Sequence, residues 1–120
     1  MATPTIADDP AYQAYVKSLF SEPGKAQREF GELAVANPIL TSYAVALFAE
    51  RRCSTPKPSG ALIDAAGGES AFDSEIGKKV FAVSGVVATM SFPTPQDEAG
   101  FCEAARKLIA AGEAAVAGQR

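Results

Sequence analysis

The chain has 120 residues, a 48% apolar and 21% charged composition, and a formal charge of −3, which bounds it to one ordinary globular domain with a modest core. Histidine is absent, so a histidine-dependent triad, a zinc–histidine site and a haem–histidine site are excluded, and the two well-separated cysteines match no clustered zinc or iron–sulfur spacing. The small net charge gives no steering field, and the basic stripe with interleaved aromatics expected of a nucleic-acid binder is missing.

Residues 1–8 read as a flexible lead-in and 118–120 as a frayed end to a helical domain over 9–117. Asp9 is a good N-cap and Pro10 suits the first helical position. Tyr12, Val16, Leu19 and Phe20 then recur at helical spacing as one apolar face, and "SEPGK" breaks the pattern. The next helix, "KAQREFGELAVANP", turns Phe30, Leu33 and Ala34 inward. Gly31 weakens it by roughly 1 kcal/mol relative to alanine. Asn37-Pro38 marks its end.

The third helix, "PILTSYAVALFAERRC", is expected to bury Leu40, Tyr43, Ala44 and Leu47, with Ile39 and Phe48 widening the face. Arg51 and Arg52 fall in its last turn, where positive charge complements the helix dipole. Cys53 follows, and the prolines of "STPKPSG" end the helix. "GALIDAAGGES" reads as a short helical turn stopped by Gly67-Gly68.

In "ESAFDSEIGKKVFAVSGVVATMSF" the residues Phe72, Ile76, Val80, Val83 and Val87 lie at helical spacing, although the β-branched second half also suits strand. A buried helix is favoured because the face runs through without a phase change; a hairpin turning at Ser84-Gly85, within 79–92, is the alternative. The last helix starts at Thr94, Pro95 and Asp97, a capping pattern. Its inward stripe is Phe101, Cys102, Ala105, Leu108, Ile109, Gly112 and Val116, with fraying expected from Ala110. The fold class is therefore all-α, a small single-domain bundle of about five helices.

Cys53 ends one amphipathic helix and Cys102 opens the apolar stripe of another. Antiparallel pairing brings both thiols to one level, so a Cys53–Cys102 disulfide is expected. Closing a loop of about 50 residues would remove roughly 4 kcal/mol of unfolded-chain freedom on the entropic model. The competing reading is two buried free thiols in a cytosolic protein. A bridge points instead to a periplasmic or secreted mature chain. The start "MATPTIADDP" is polar and acidic, unlike a signal peptide, and Met1 is either native or an added initiator. The uncharged run from Val80 to Gln96 is too short and proline-interrupted to span a bilayer.

Other motifs are slight. "STPK", Ser54 to Lys57, matches the Ser-x-x-Lys signature of penicillin-recognising enzymes, but its companion elements are missing and prolines flank the lysine. Glu69, Asp73 and Glu75 suit a dipole-stabilised helix start better than a cation site, and Gly67-Gly68 is too little for a phosphate loop. Arg51, Arg52 and Lys57 concentrate positive charge and form the candidate partner-binding group. Tyr12 and Tyr15 are the natural aromatic contacts, since periodicity places Tyr43 inside.

These features point to a small helical binding protein recognising a protein partner, in the manner of an inhibitor, an immunity-type antidote or a chaperone. The alternative is a carrier holding a lipid or other hydrophobic small molecule between helices. No catalytic constellation, metal site or cofactor is indicated. In outline the layout resembles small single-disulfide helical proteins of the bacterial envelope.

Overall fold

Hydroxyl and carboxylate caps set four of the helix starts. In the computed structural model, which describes residues 9–118, six α-helices occur: α1 (Pro10–Ser21), α2 (Lys25–Ala36), α3 (Pro38–Cys53), α4 (Gly60–Ala66), α5 (Glu75–Thr89) and α6 (Pro95–Ala117). The expected flexible lead-in (1–8) and the last two residues of the expected frayed end lie outside the described residues. Asp9 Oδ1 accepts from the Ala11 amide at 2.9 Å, Ser74 Oγ from Gly77 at 3.0 Å, and Thr94 Oγ1 from Asp97 at 3.1 Å. Each satisfies an orphan amide of a first turn. The seven-residue α4 is held from both sides: Ser59 Oγ accepts from Leu62 while the Glu113 carboxylate of α6 accepts from the Ser59 amide and hydroxyl.

The Ser84-Gly85 hairpin does not form, because α5 runs unbroken through it. Val80, Val83, Val86 and Val87 are all buried there, and tertiary burial outweighs the weak helix preference of β-branched residues.

Contacts fix the directions. Cys53 at the end of α3 is disulfide-bonded to Cys102 near the start of α6, with Cα atoms 5.2 Å apart. Ser42 near the start of α3 donates to the Leu108 carbonyl farther along α6 at 3.1 Å. The two helices are thus antiparallel, the pairing expected from the cysteines. Helices α1, α3 and α5 instead run side by side in one direction, α5 in the middle. Asp9 at the start of α1 pairs with Lys78 early in α5, and Arg52 at the end of α3 reaches Ala88 at the end of α5.

The core has two lobes. Val45, Ala46, Ala49, Cys53, Cys102, Ala105 and Ile109 form the α3–α6 lobe. Leu19, Ala26, Ala82, Val83, Val86 and Val87 form the α1–α2–α5 lobe, and Phe30 and Phe101 pack against both. The shape is a slab of 45 × 40 × 24 Å. Its thickness is about two helix diameters, so each helix keeps a face near solvent. All seven phenylalanines and three tyrosines are half-buried or exposed; small aliphatic side chains fill the centre.

Helix α3 departs from its expected face. Its buried residues are Thr41, Ser42, Ala44, Val45, Ala46, Ala49 and Cys53, while Leu47 is 45% exposed and Tyr43 is half-buried. The cause is that α3 is sandwiched between α5 and α6, so its small side chains must occupy both contacts. The crossing with α6 is close enough that a Cβ on Gly112 would overlap the Ser42 side chain. The hydroxyls buried there are satisfied by neighbouring carbonyls: Thr41 by Leu33 and Ser42 by Leu108. Phe20 and Ile76 are exposed, at 65% and 39%, so the expected inward faces of α1 and α5 are narrower than their apolar patterns. The expected fraying from Ala110 is absent too, since α6 remains helical to Ala117 with Gly112 and Val116 buried. No helix among the described residues is long and apolar enough to cross a membrane.

Candidate functional site

The shared direction of α1, α3 and α5 leaves a longitudinal groove, with α5 as its floor. Tyr12, Val16 and Phe20, one per turn of α1, form one wall, and Phe48 of α3 contributes to the other. Phe81, Gly85 and Thr89 are the corresponding steps along α5, and the open cavity above them measures about 250 Å³. Gly85 has a direct role. A Cβ there would stand 3.3 Å from Phe48 Cζ, tighter than an ordinary carbon–carbon contact, so the missing side chain lets the Phe48 ring lie down on α5.

One end of the groove continues into an aromatic cluster. Phe81 sits at its centre, with ring centroids 4.9 Å from Phe48, 4.9 Å from Phe72 and 6.3 Å from Tyr12. Phe72 in turn stacks on Tyr43 at 5.4 Å. Edge and offset contacts of this kind hold rings rigidly in place. A pre-organised apolar surface loses little side-chain freedom when covered.

The candidate cationic group is divided by the structure. Arg52 Nη1 donates to the carbonyls of Ala88 at 2.9 Å and Met90 at 2.7 Å. Its guanidinium lies 5.0 Å from the Phe92 ring centre and its Nε 3.8 Å from Glu98. Arg52 therefore satisfies the carbonyl end of α5, a use of arginine that complements the helix dipole. Arg51 and Lys57 are exposed. Arg106, which the sequence did not single out, plays the matching part for α3, donating to the Cys53 carbonyl at 2.7 Å.

Three other features are chemically quiet. The acidic residues Glu69, Asp73 and Glu75 are each exposed, and no group of three metal-capable side chains occurs among the described residues. Ser54 ends α3 with a left-handed backbone (φ 53°), whereas the Ser-x-x-Lys nucleophile needs a helix start. A cleft of about 150 Å³ beside Asp9, Tyr12 and Tyr15 has its Lys78 already paired with Asp9 at 3.0 Å. That pairing holds the Asp9 carboxyl below its usual range, with the Ala11 amide adding to the effect. Tyr15 is pushed above the ordinary phenol range, first by burial and then by the Glu29 carboxylate beside it.

Sequence reasoning placed Tyr12, Val16, Phe20 and Phe48 on apolar faces but did not see the groove they make. One signal was available. From Tyr15 to Phe20 the apolar arc of α1 spans about 140° at 100° per residue, wider than a single packing contact needs. No protein-family model, curated protein or solved structure matches this chain.

Proposed function

We propose that the protein is a binding module that recognises a protein partner through the groove between α1, α3 and α5. The observation that carries this reading is Phe20, 65% exposed at the rim of a continuous apolar channel. A large exposed side chain beside an ordered aromatic surface marks an interaction site more than a packing defect. Leu47, also exposed, extends apolar surface along α3. The Cys53–Cys102 bridge supports an oxidising compartment, periplasmic or extracellular, where inhibitor, immunity-type and chaperone-like proteins of this size operate. The absence of an assembled nucleophile, base and orienting group among the described residues leaves no observation favouring catalysis.

A hydrophobic carrier needs a chamber that encloses most of its ligand. The apolar stretch from Val80 to Phe92 places Val80, Val83, Val86 and Val87 in the packed interior, so no observation favours that reading.

A photo-reactive phenylalanine analogue at position 20 of the disulfide-bonded chain tests the proposal in extract from the protein's native compartment. Val35, 85% exposed on α2, is the control position. A discrete adduct from position 20 and none from position 35 is expected. Identical adduct patterns, or none from position 20, remove the groove as the contact surface; a third probe at position 57 that alone gives an adduct moves the interface to the charged break after α3.

A further inference from the structure

Resting on the groove as the contact surface, we propose that its occupant is an amphipathic helix of a different protein, carrying carboxylates beside its apolar stripe. Dimensions favour a helix. From Phe81 to Thr89 the floor spans about 12 Å at 1.5 Å per residue, roughly two turns. That length accepts apolar side chains spaced i, i+3 or i+4, and i+7, the usual helix-in-groove pattern. The volume of about 250 Å³ lies below the roughly 300–1,000 Å³ of sites that engulf a small molecule. It suits a few inserted side chains on a larger body.

Charge selects the kind of helix. No carboxylate lines the channel. Lys17 precedes Phe20 by one turn on α1, and Arg51 follows Phe48 by one turn on α3, the spacing at which helical side chains are neighbours. Both are exposed, and neither takes part in an ion pair with another described residue. Two uncompensated cations flanking an apolar channel favour a ligand with acidic flanks and disfavour a basic one. The same charges disfavour a second copy of this chain. In a two-fold dimer closed through the groove, each Phe20 would enter the partner's channel and bring Lys17 and Arg51 of both chains together.

Two fluorescent peptides of about 16 residues, long enough to hold helix, test the idea. They share one leucine stripe; glutamates flank it in the first and lysines in the second. Anisotropy titrations against the disulfide-bonded protein are expected to give about tenfold tighter binding of the glutamate peptide at low salt, from two exposed charge contacts changing sign. The margin should shrink at high salt. Lys17→Glu with Arg51→Glu should invert the preference, and Phe20→Ser should weaken both peptides; all three positions are exposed, so folding is preserved. Equal affinities, a lysine preference, or no binding of either peptide at about 1 mM would overturn the helix assignment. A dimer dissociated by Phe20→Ser would identify a second copy as the occupant instead. The position-20 adduct judges the groove independently: an adduct without peptide discrimination sinks only the acidic helix.

Discussion

Gly112→Ala adds one methyl group to α6, and the structure turns that small change into a test of the α3–α6 crossing. In an open helix interior the substitution is favourable by about 1 kcal/mol, since alanine loses less backbone freedom than glycine. At position 112 the new Cβ would overlap both Cβ and Oγ of Ser42. Forcing a methyl into a filled contact costs about 1–3 kcal/mol. Moving Ser42 aside also strains its bond to the Leu108 carbonyl, worth about 1 kcal/mol. The cost exceeds the propensity gain, and a net loss of about 1–3 kcal/mol is expected. Urea unfolding with the disulfide intact reads this as a midpoint lowered by roughly 1 M at the usual slope for small proteins.

Gly31→Ala on α2 is the matched control, because an added Cβ there meets nothing within 4 Å; it should stabilise by about 0.5–1 kcal/mol. Ser42→Gly combined with Gly112→Ala removes the overlapping atoms, so the pair should be less destabilised than the sum of the single changes, by about 1–2 kcal/mol. Ser42→Ala would not serve, since the Ser42 Cβ itself lies in the way. An unchanged or raised stability of Gly112→Ala, together with no coupling to position 42, would refute the close crossing.

Replacing both cysteines by alanine should lower stability by about 4 kcal/mol on the entropic model for a loop of about 50 residues; urea midpoints with and without reductant measure it, and reductant should leave the variant unchanged. Arg52→Met keeps much of the side-chain volume but strands the carbonyls of Ala88 and Met90, with an expected cost of about 1.5–3 kcal/mol visible in the same assay. Tyr15 has a raised folded-state pKa, so its contribution is complete below the unfolded phenol value of about 10 and is lost as pH rises beyond it. Stability of Tyr15→Phe should therefore decline less steeply above pH about 10, and parallel decline of both proteins would contradict the burial of that hydroxyl. Asp9, held below its ordinary range by Lys78, acts in the opposite direction: Asp9→Asn should remove a stabilisation that is present above pH about 4 and fades as pH falls through the lowered value.

Local chemistry was legible before any coordinates. Asp9-Pro10 and Thr94-Pro95-x-Asp97 start α1 and α6 because a cap and an N-terminal proline act within one turn. The unbroken α5 followed from the phase of Val80, Val83 and Val87, but Phe72, the first residue of that expected face, lies outside the helix, which starts only at Glu75. The cysteine pairing followed from placing one thiol at a helix end and the other on an apolar stripe. Faces were harder. The rule that bulky apolar residues point inward put Tyr43 and Leu47 inside α3, whereas Thr41, Ser42 and Ala46 are buried there. That rule assumes one buried side per helix, and α3 has two. Arg52 looked like a free cation for the same reason, since its acceptors belong to α5, whose distance from it in the chain hides their proximity.

The sequence by itself determined most helix starts, that the helices build an all-α domain, and that one disulfide ties two of them, because caps, breakers and periodicity operate over a few residues. Only the tertiary structure decided that α1, α3 and α5 run in one direction, that small side chains rather than aromatic ones fill the centre, and that an apolar groove opens over Gly85. Those outcomes depend on how closely distant helices can approach, and that is set by pairs of residues such as Ser42 and Gly112, or Phe48 and Gly85, whose fit exists only once the chain has brought them together.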